Sequence, residues 1–315
     1  MPTPETHGPR LDVPNLAVHA LWGAWFAAVL TNWASWSAGV RLGAMGLGWA
    51  VMFWNYAVLH NHMHVPIAKP RLLKWLVSRT LGLACGFAYR GYYSHHFNHH
   101  KYNDGPGDWG RPRPGEGALH YCVRWALTPW FWPWTVVGDV WKACKTRGQK
   151  LELMLDFAVV DGTLLALLAW QPSLGASLFA MLLVGQTCIH YLNLAAHVGS
   201  DSTDRKALAV TSASPFYNRY FFNAGYHLAH HLKPQTPWRA LPALTEELLR
   251  QGQHQPSLLA EPSPIHPSWI SRVSAVRKAL SATGDTDKPS SPSSPDPGAS
   301  VSAAPGSRAA AAAQP

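Results

Sequence analysis

The chain has 315 residues, 47% hydrophobic and only 14% charged, with 16 Trp and a formal charge of +9. That mixture suits a membrane protein with large extramembrane parts, because tryptophan favours the headgroup level. It argues against a nucleic-acid binder, since the basic residues are dispersed and no recognised binding motif accompanies them; attraction to anionic headgroups explains the charge better.

Residues 1–14 are polar. An apolar stretch at 15–36 follows without a clear cleavage site, so it reads as a membrane anchor rather than a signal peptide. A second stretch, 41–60, is joined to it by the short link "SAGV", which fits only a tight hairpin. Both are near the roughly 20 residues that cross a bilayer. "GAMGLG" (43–48) lies inside the second span with no strand before it, so its small residues read as close helix packing rather than a nucleotide loop. Residues 72–89 carry Lys74 and Arg79, and residues 125–137 are short and broken by Pro129 and Pro133. Both read as helices lying in the interface. Two further spans, 152–171 and 174–194, are joined by "QPSL". From residue 281 the chain turns Pro-, Ser- and Ala-rich and is expected to be a disordered tail, 281–315.

The expected fold is therefore an all-α integral membrane protein: four transmembrane helices in two hairpins within one domain, 15–280, with interfacial helices. Half of the 26 Lys and Arg lie between 61 and 150 and most of the rest follow 195, while the hairpin tips hold only Arg41. By the positive-inside rule both termini and the middle loop face the cytoplasm. Cys85, Cys122, Cys144 and Cys188 are far apart and form no CxxC, so a zinc ribbon, an iron–sulfur cluster and a disulfide framework are all unsupported.

The histidines are not dispersed. "HNHMH" (60–64) places His60 and His64 one helical turn apart as the second span ends. "HHFNHH" (95–100) puts His96, His99 and His100 on one helix face, and "HLAHH" (227–231) does the same for His227, His230 and His231. Asn193 and His197 in "NLAAH" repeat the one-turn spacing where the fourth span ends. The topology brings all four groups to one depth on one membrane face. Nine neutral imidazoles without a thiolate suit borderline metals such as iron, zinc or copper. Nine exceed what one ion takes, so two ions with four or five nitrogens each are expected, and a dinuclear iron centre able to bind dioxygen is the natural inference.

The order HxxxH, HxxHH, NxxxH, HxxHH over roughly 41–240 resembles the membrane fatty acid desaturase and hydroxylase superfamily. The resemblance implies four spans under a cytoplasmic helical cap carrying the histidine boxes. It implies His60, His64, His96, His99, His100, His197, His227, His230 and His231 as ligands of two iron ions, with dioxygen as cosubstrate. It also implies that Asn193 holds a metal-bound water. One departure is Asn61, where the family often has Asp; Asn61 could still accept a hydrogen bond from a ligand imidazole, more weakly. His62 points off the shared face and reads as a surface or outer-sphere residue, and His95 sits one step before its box.

Around the boxes, His190 lies on the face of Asn193, either as a satisfied core histidine or lining the substrate channel. Asp156 and Asp161 fall inside the third span, where ionisable groups are costly. Asp156 is placed to orient a ligand histidine or to bond between helices, and Asp161 to pair with a polar group between spans. Asp104 and Asp108 could bind a ligand imidazole or Lys101, or simply form a turn.

Two functions of one chemistry stay open: a desaturase putting a double bond into a fatty acyl chain, or a hydroxylase or ketolase acting on lipid, alkane or carotenoid. A bis-histidine haem electron carrier and a metal transporter are the alternatives from other classes. With no haem-binding motif or cysteine cluster in the chain, electrons are expected from a separate ferredoxin, cytochrome or reductase, docking on the basic face. The substrate is expected to enter from the bilayer, and Ala- and Arg-rich usage leans towards a bacterial inner membrane.

Overall fold

Ser37 accepts a hydrogen bond from the N–H of Val40 and so starts a long helix after the first hairpin turn. At the second hairpin Pro172 opens a helix two residues after Trp170 closes another. These local signals fix two helical hairpins in a computed structural model that describes residues 11–273 except 114, 129, 131–136, 261 and 272. Residues 1–10, most of the Trp- and Pro-rich stretch 128–136, and the tail 281–315 lie outside the described residues.

Helix α1 spans Val13–Asn32 and α2 spans Ala38–His64. Shorter helices follow: α3 (Arg71–Cys85), α4 (Tyr89–Tyr102), α5 (Ala118–Leu127) and α6 (Val137–Ala143). The second hairpin is α7 (Arg147–Trp170), opened by a reciprocal capping box between Thr146 and Gln149, and α8 (Pro172–Ala196). Three small helices complete the cap: α9 (Pro215–Tyr220), α10 (His227–Leu232) and α11 (Leu241–Arg250). The strands Thr211–Ser212 and Leu259–Ala260 pair in parallel behind α10.

Four helical segments are long and apolar enough to cross a membrane: Val13–Ser35, Ala38–His64, Arg147–Trp170 and Pro172–Ala196. The chain is an all-α membrane protein. α1 packs on α2, α7 on α8, and α2 meets α8 across a core that includes Val29, Met52, Leu59 and Leu174. Leu42, Leu47, Leu165 and Val184 stay exposed on the outer faces, as lipid contact would require.

Gly43, Gly46 and Asp161 depart from the sequence expectations, while Asp156 takes the second of its two expected roles, bonding between helices. Of the glycines in "GAMGLG", Gly48 alone makes a tight contact: a Cβ there would overlap the Trp25 ring, whereas Gly43 and Gly46 face open space. Asp156, 1% exposed, orients no histidine; it pairs with Arg79 on α3 at 3.1 Å and accepts the N–H of Arg90 at 2.6 Å, tying α3 and α4 to α7. Arg79 thus points into the protein, while Leu72, Trp75 and Leu76 on the same helix are exposed. Asp161 is half-buried and has no polar partner among the described residues.

Candidate metal centre

Each histidine reaches the site because an element ends or turns there. α2 delivers His60 and His64 in its last turn. α4 delivers His96, His99 and His100 before Asn103 and Asp104 stop it with positive φ of 46° and 61°. His197 sits just past the end of α8. α10 is braced from behind, where Asn218 donates to the carbonyl of Ser212 and accepts the N–H of Gly225.

The imidazoles form two adjoining groups. In the first, His64 Nε2 lies 2.7 Å from His96 Nε2, His96 lies 3.0 Å from His100, and His100 lies 2.9 Å from His230. The His60 ring stands 4.4 Å from that of His230, centre to centre. All five offer nitrogens within 4.8 Å of one another. In the second group the Nε2 contacts run His99 to His197 (3.1 Å), His197 to His227 (3.1 Å) and His227 to His231 (3.2 Å). The two meet where the His100 and His231 rings stack at 4.4 Å.

This donor set fits a pair of metal ions. Nine ring nitrogens of one kind converge, and the buried Nε2 of His60 has no hydrogen-bond partner among the described residues. A cation at the centre of the first group would satisfy it. Burial first, and then the neighbouring rings, push His96, His100, His227, His230 and His231 well below the ordinary imidazole range. They are neutral and have a lone pair to offer.

The outer contacts are asymmetric. Asp108 accepts from His99 Nδ1 at 2.7 Å, and Asp104 lies 3.4 Å from His197 Nδ1, which also faces the Leu208 carbonyl at 3.1 Å. Burial opposes charge on both partners of the His99–Asp108 pair. Their hydrogen bond overcomes it, raising His99 and holding Asp108 down to about 2 with help from the N–H groups of Asp104 and Gly110. For His197 burial prevails, and it sits at about 4. In the first group the Nδ1 atoms of His64 and His100 have no such partner among the described residues.

Asn61 and His62 behave otherwise than expected, whereas His95 stays outside the imidazole groups and His190 takes one of its two expected places, on a cavity wall. Asn61 accepts from no imidazole among the described residues; it donates to Asn15 Oδ1 at 3.2 Å. His62 is not at the surface: it is 1% exposed, bonded to Ser78 and to the N–H of Ile67. His95 turns away from both groups and packs on Trp125, ring centres 4.7 Å apart. His190 is not a satisfied core histidine, because its buried Nε2 lacks a partner among the described residues; it lines a cavity beside the site. Asn193 faces the hydroxyl of Tyr92, whose ring lies over His96 at 6.2 Å.

Sequence reasoning missed the outer edge of the site. An opening beside His60, His64 and His230 is bordered by Asp12, whose carboxylate takes hydrogen bonds from Trp238 Nε1 at 2.7 Å and from Arg239 at 3.3 Å. Nothing in the local pattern around Asp12 signals a partner more than 200 residues away.

Comparison with curated proteins gives no match. The family described as Fatty acid desaturase matches residues 31–259, most of the chain and every histidine in both groups. Four apolar helices and two converging imidazole groups agree with that match, and the chain belongs to the fatty acid desaturase family.

Proposed function

We propose that the chain is an oxygen-dependent di-iron lipid desaturase that introduces a double bond into a fatty acyl chain. The observation that carries this reading is the sorting of nine imidazoles, from four separate segments, into adjoining groups of five and four. His60, His64, His96, His100 and His230 would hold one iron, and His99, His197, His227 and His231 the other. Bound there, the two irons would supply the oxidation by dioxygen that an unactivated C–H bond requires and that no side chain offers.

The protein's own work is to hold and to exclude. Asp108 accepts the Nδ1–H of His99 in a hydrogen bond, and Asp104 and the Leu208 carbonyl face Nδ1 of His197, so each Nε2 lone pair points inward. The Arg79–Asp156–Arg90 contact locks the helix that carries three of the ligands. Tyr92, beside Asn193, lies between His96 and the adjacent cavity. A lipid chain from the bilayer is the substrate in this reading, and electrons come from a separate ferredoxin, cytochrome or reductase that the net positive charge would attract. The reading puts both termini in the cytoplasm of a bacterial inner membrane, supported by the Lys and Arg asymmetry.

The test is mass-spectrometric analysis of lipids from a host expressing the chain, with His231→Ala as control. A new species lacking two hydrogens, absent from the control, is the expected result. A species gaining one oxygen would replace desaturase by hydroxylase.

A further inference from the structure

The cavity beside the metal centre is apolar on most of its wall, with Phe87, Leu153 and Phe157 among its lining residues. Against that wall stand Trp125, 5% exposed, and His190, 3% exposed. Trp125 Nε1 and His190 Nε2 are both buried and without a hydrogen-bond partner among the described residues, as is Nε2 of the neighbouring His95. Buried polar nitrogens are almost always paired, and an apolar tunnel meant for an unbroken alkyl chain gains nothing from three that are not. The Trp125 ring is fixed between those of His95 at 4.7 Å and His190 at 5.9 Å, so its N–H cannot swing away to find a partner.

Resting on the desaturase-type reading above, we infer that the substrate carries a neutral oxygen, a carbonyl or hydroxyl flanked by hydrocarbon, which the Trp125 indole N–H and His190 hold in this cavity. An indole nitrogen only donates, so the ligand atom must accept; an imidazole takes either role by tautomer and serves a carbonyl or a hydroxyl equally. A charged headgroup is disfavoured, because none of the described residues lining the cavity is Asp, Glu, Lys or Arg. Tyr92 lines it and also stacks on His96, so the held oxygen would sit about one ring away from the first imidazole group. The oxygen would then set which carbon is oxidised. It has two possible sources, the carbonyl at the head of an acyl chain or an oxygen in mid-chain.

The test uses the full chain in nanodiscs of phosphatidylethanolamine and phosphatidylglycerol. Binding is measured for a long alkane and for carbon-13-labelled ketones of equal length, with the carbonyl near one end or in the middle. One ketone should bind about tenfold or more tightly than the alkane. Its C=O stretch should fall relative to the same ketone in liquid alkane, and Trp125→Phe should abolish both effects. The favoured position identifies the source. Alkane and ketones bound alike with no shift, water alone filling the cavity, would overturn the inference. That comparison needs only the unaltered chain, and His190→Phe serves if Trp125→Phe fails to insert. Iron measured on the same preparations separates the two readings. Iron without ketone preference sinks this inference alone, and ketone preference without iron sinks the proposed function alone.

Discussion

At His99 one imidazole stands between a carboxylate and another imidazole, with Asp108 on Nδ1 and His197 on Nε2. The carboxylate fixes the tautomer and strengthens the nitrogen that faces inward. Asp108→Asn keeps an acceptor but removes its charge, and should lower metal affinity about tenfold, read by metal retention during dialysis against a chelator. Unchanged retention would make Asp108 a turn residue only. The buried imidazoles also set a pH dependence. Folded His95 and His197 sit at about 4, against 6.5 when exposed, largely through burial. Between those values the unfolded chain binds protons that the folded chain refuses. Stability of the metal-stripped protein should therefore be intact above about 6.5 and fall as pH drops towards 4, with His99 pulling the other way. Thermal unfolding at pH 7.5 and 5 checks this, and equal or greater stability at pH 5 would contradict it. The ligand-like histidines were legible because one-turn spacing is a local property. The partners of Asn61 and His62 were not, because each lies on another helix.

Helices α3, α4 and α7 meet at Asp156, and the cost of a charge there is offset by Arg79 and the Arg90 N–H. Asp156→Ala would leave Arg79 buried and unpaired, a change that typically costs about 3–5 kcal/mol. Unfolding in mixed micelles should show the loss, and Asp156→Ala paired with Arg79→Leu should recover much of it. No recovery would mean that the contact is not the source of stability. Hydropathy marked all four long helices within a few residues, because apolar length is a property of each segment alone. It placed Asp156 inside a span but could not name Arg79, which reaches it from a helix expected to lie in the interface. Gly48 was distinguishable from Gly43 and Gly46 only once Trp25 was seen to lean on it.

Over the whole molecule, two hairpins carry the ends of α2 and α8 to one level, where α4 and α10 complete the imidazole groups. Residues 284–315 contribute no histidine and lie beyond the matched region. Their deletion should leave iron content and product formation unchanged, and loss of either would give the tail a role in the domain. The convergence of four histidine segments followed from topology plus spacing. The contact of Asp12 with Trp238 and Arg239 across the opening did not, since it depends on how the cap closes over the first helix. The most direct measurement is metal analysis of the full-length protein purified from membranes, with His230→Ala beside it. About two non-haem iron atoms per chain, reduced in the variant, is the result these imidazole groups predict. A folded protein that carries haem with a Soret band, or no iron after expression in iron-replete cells, would contradict it.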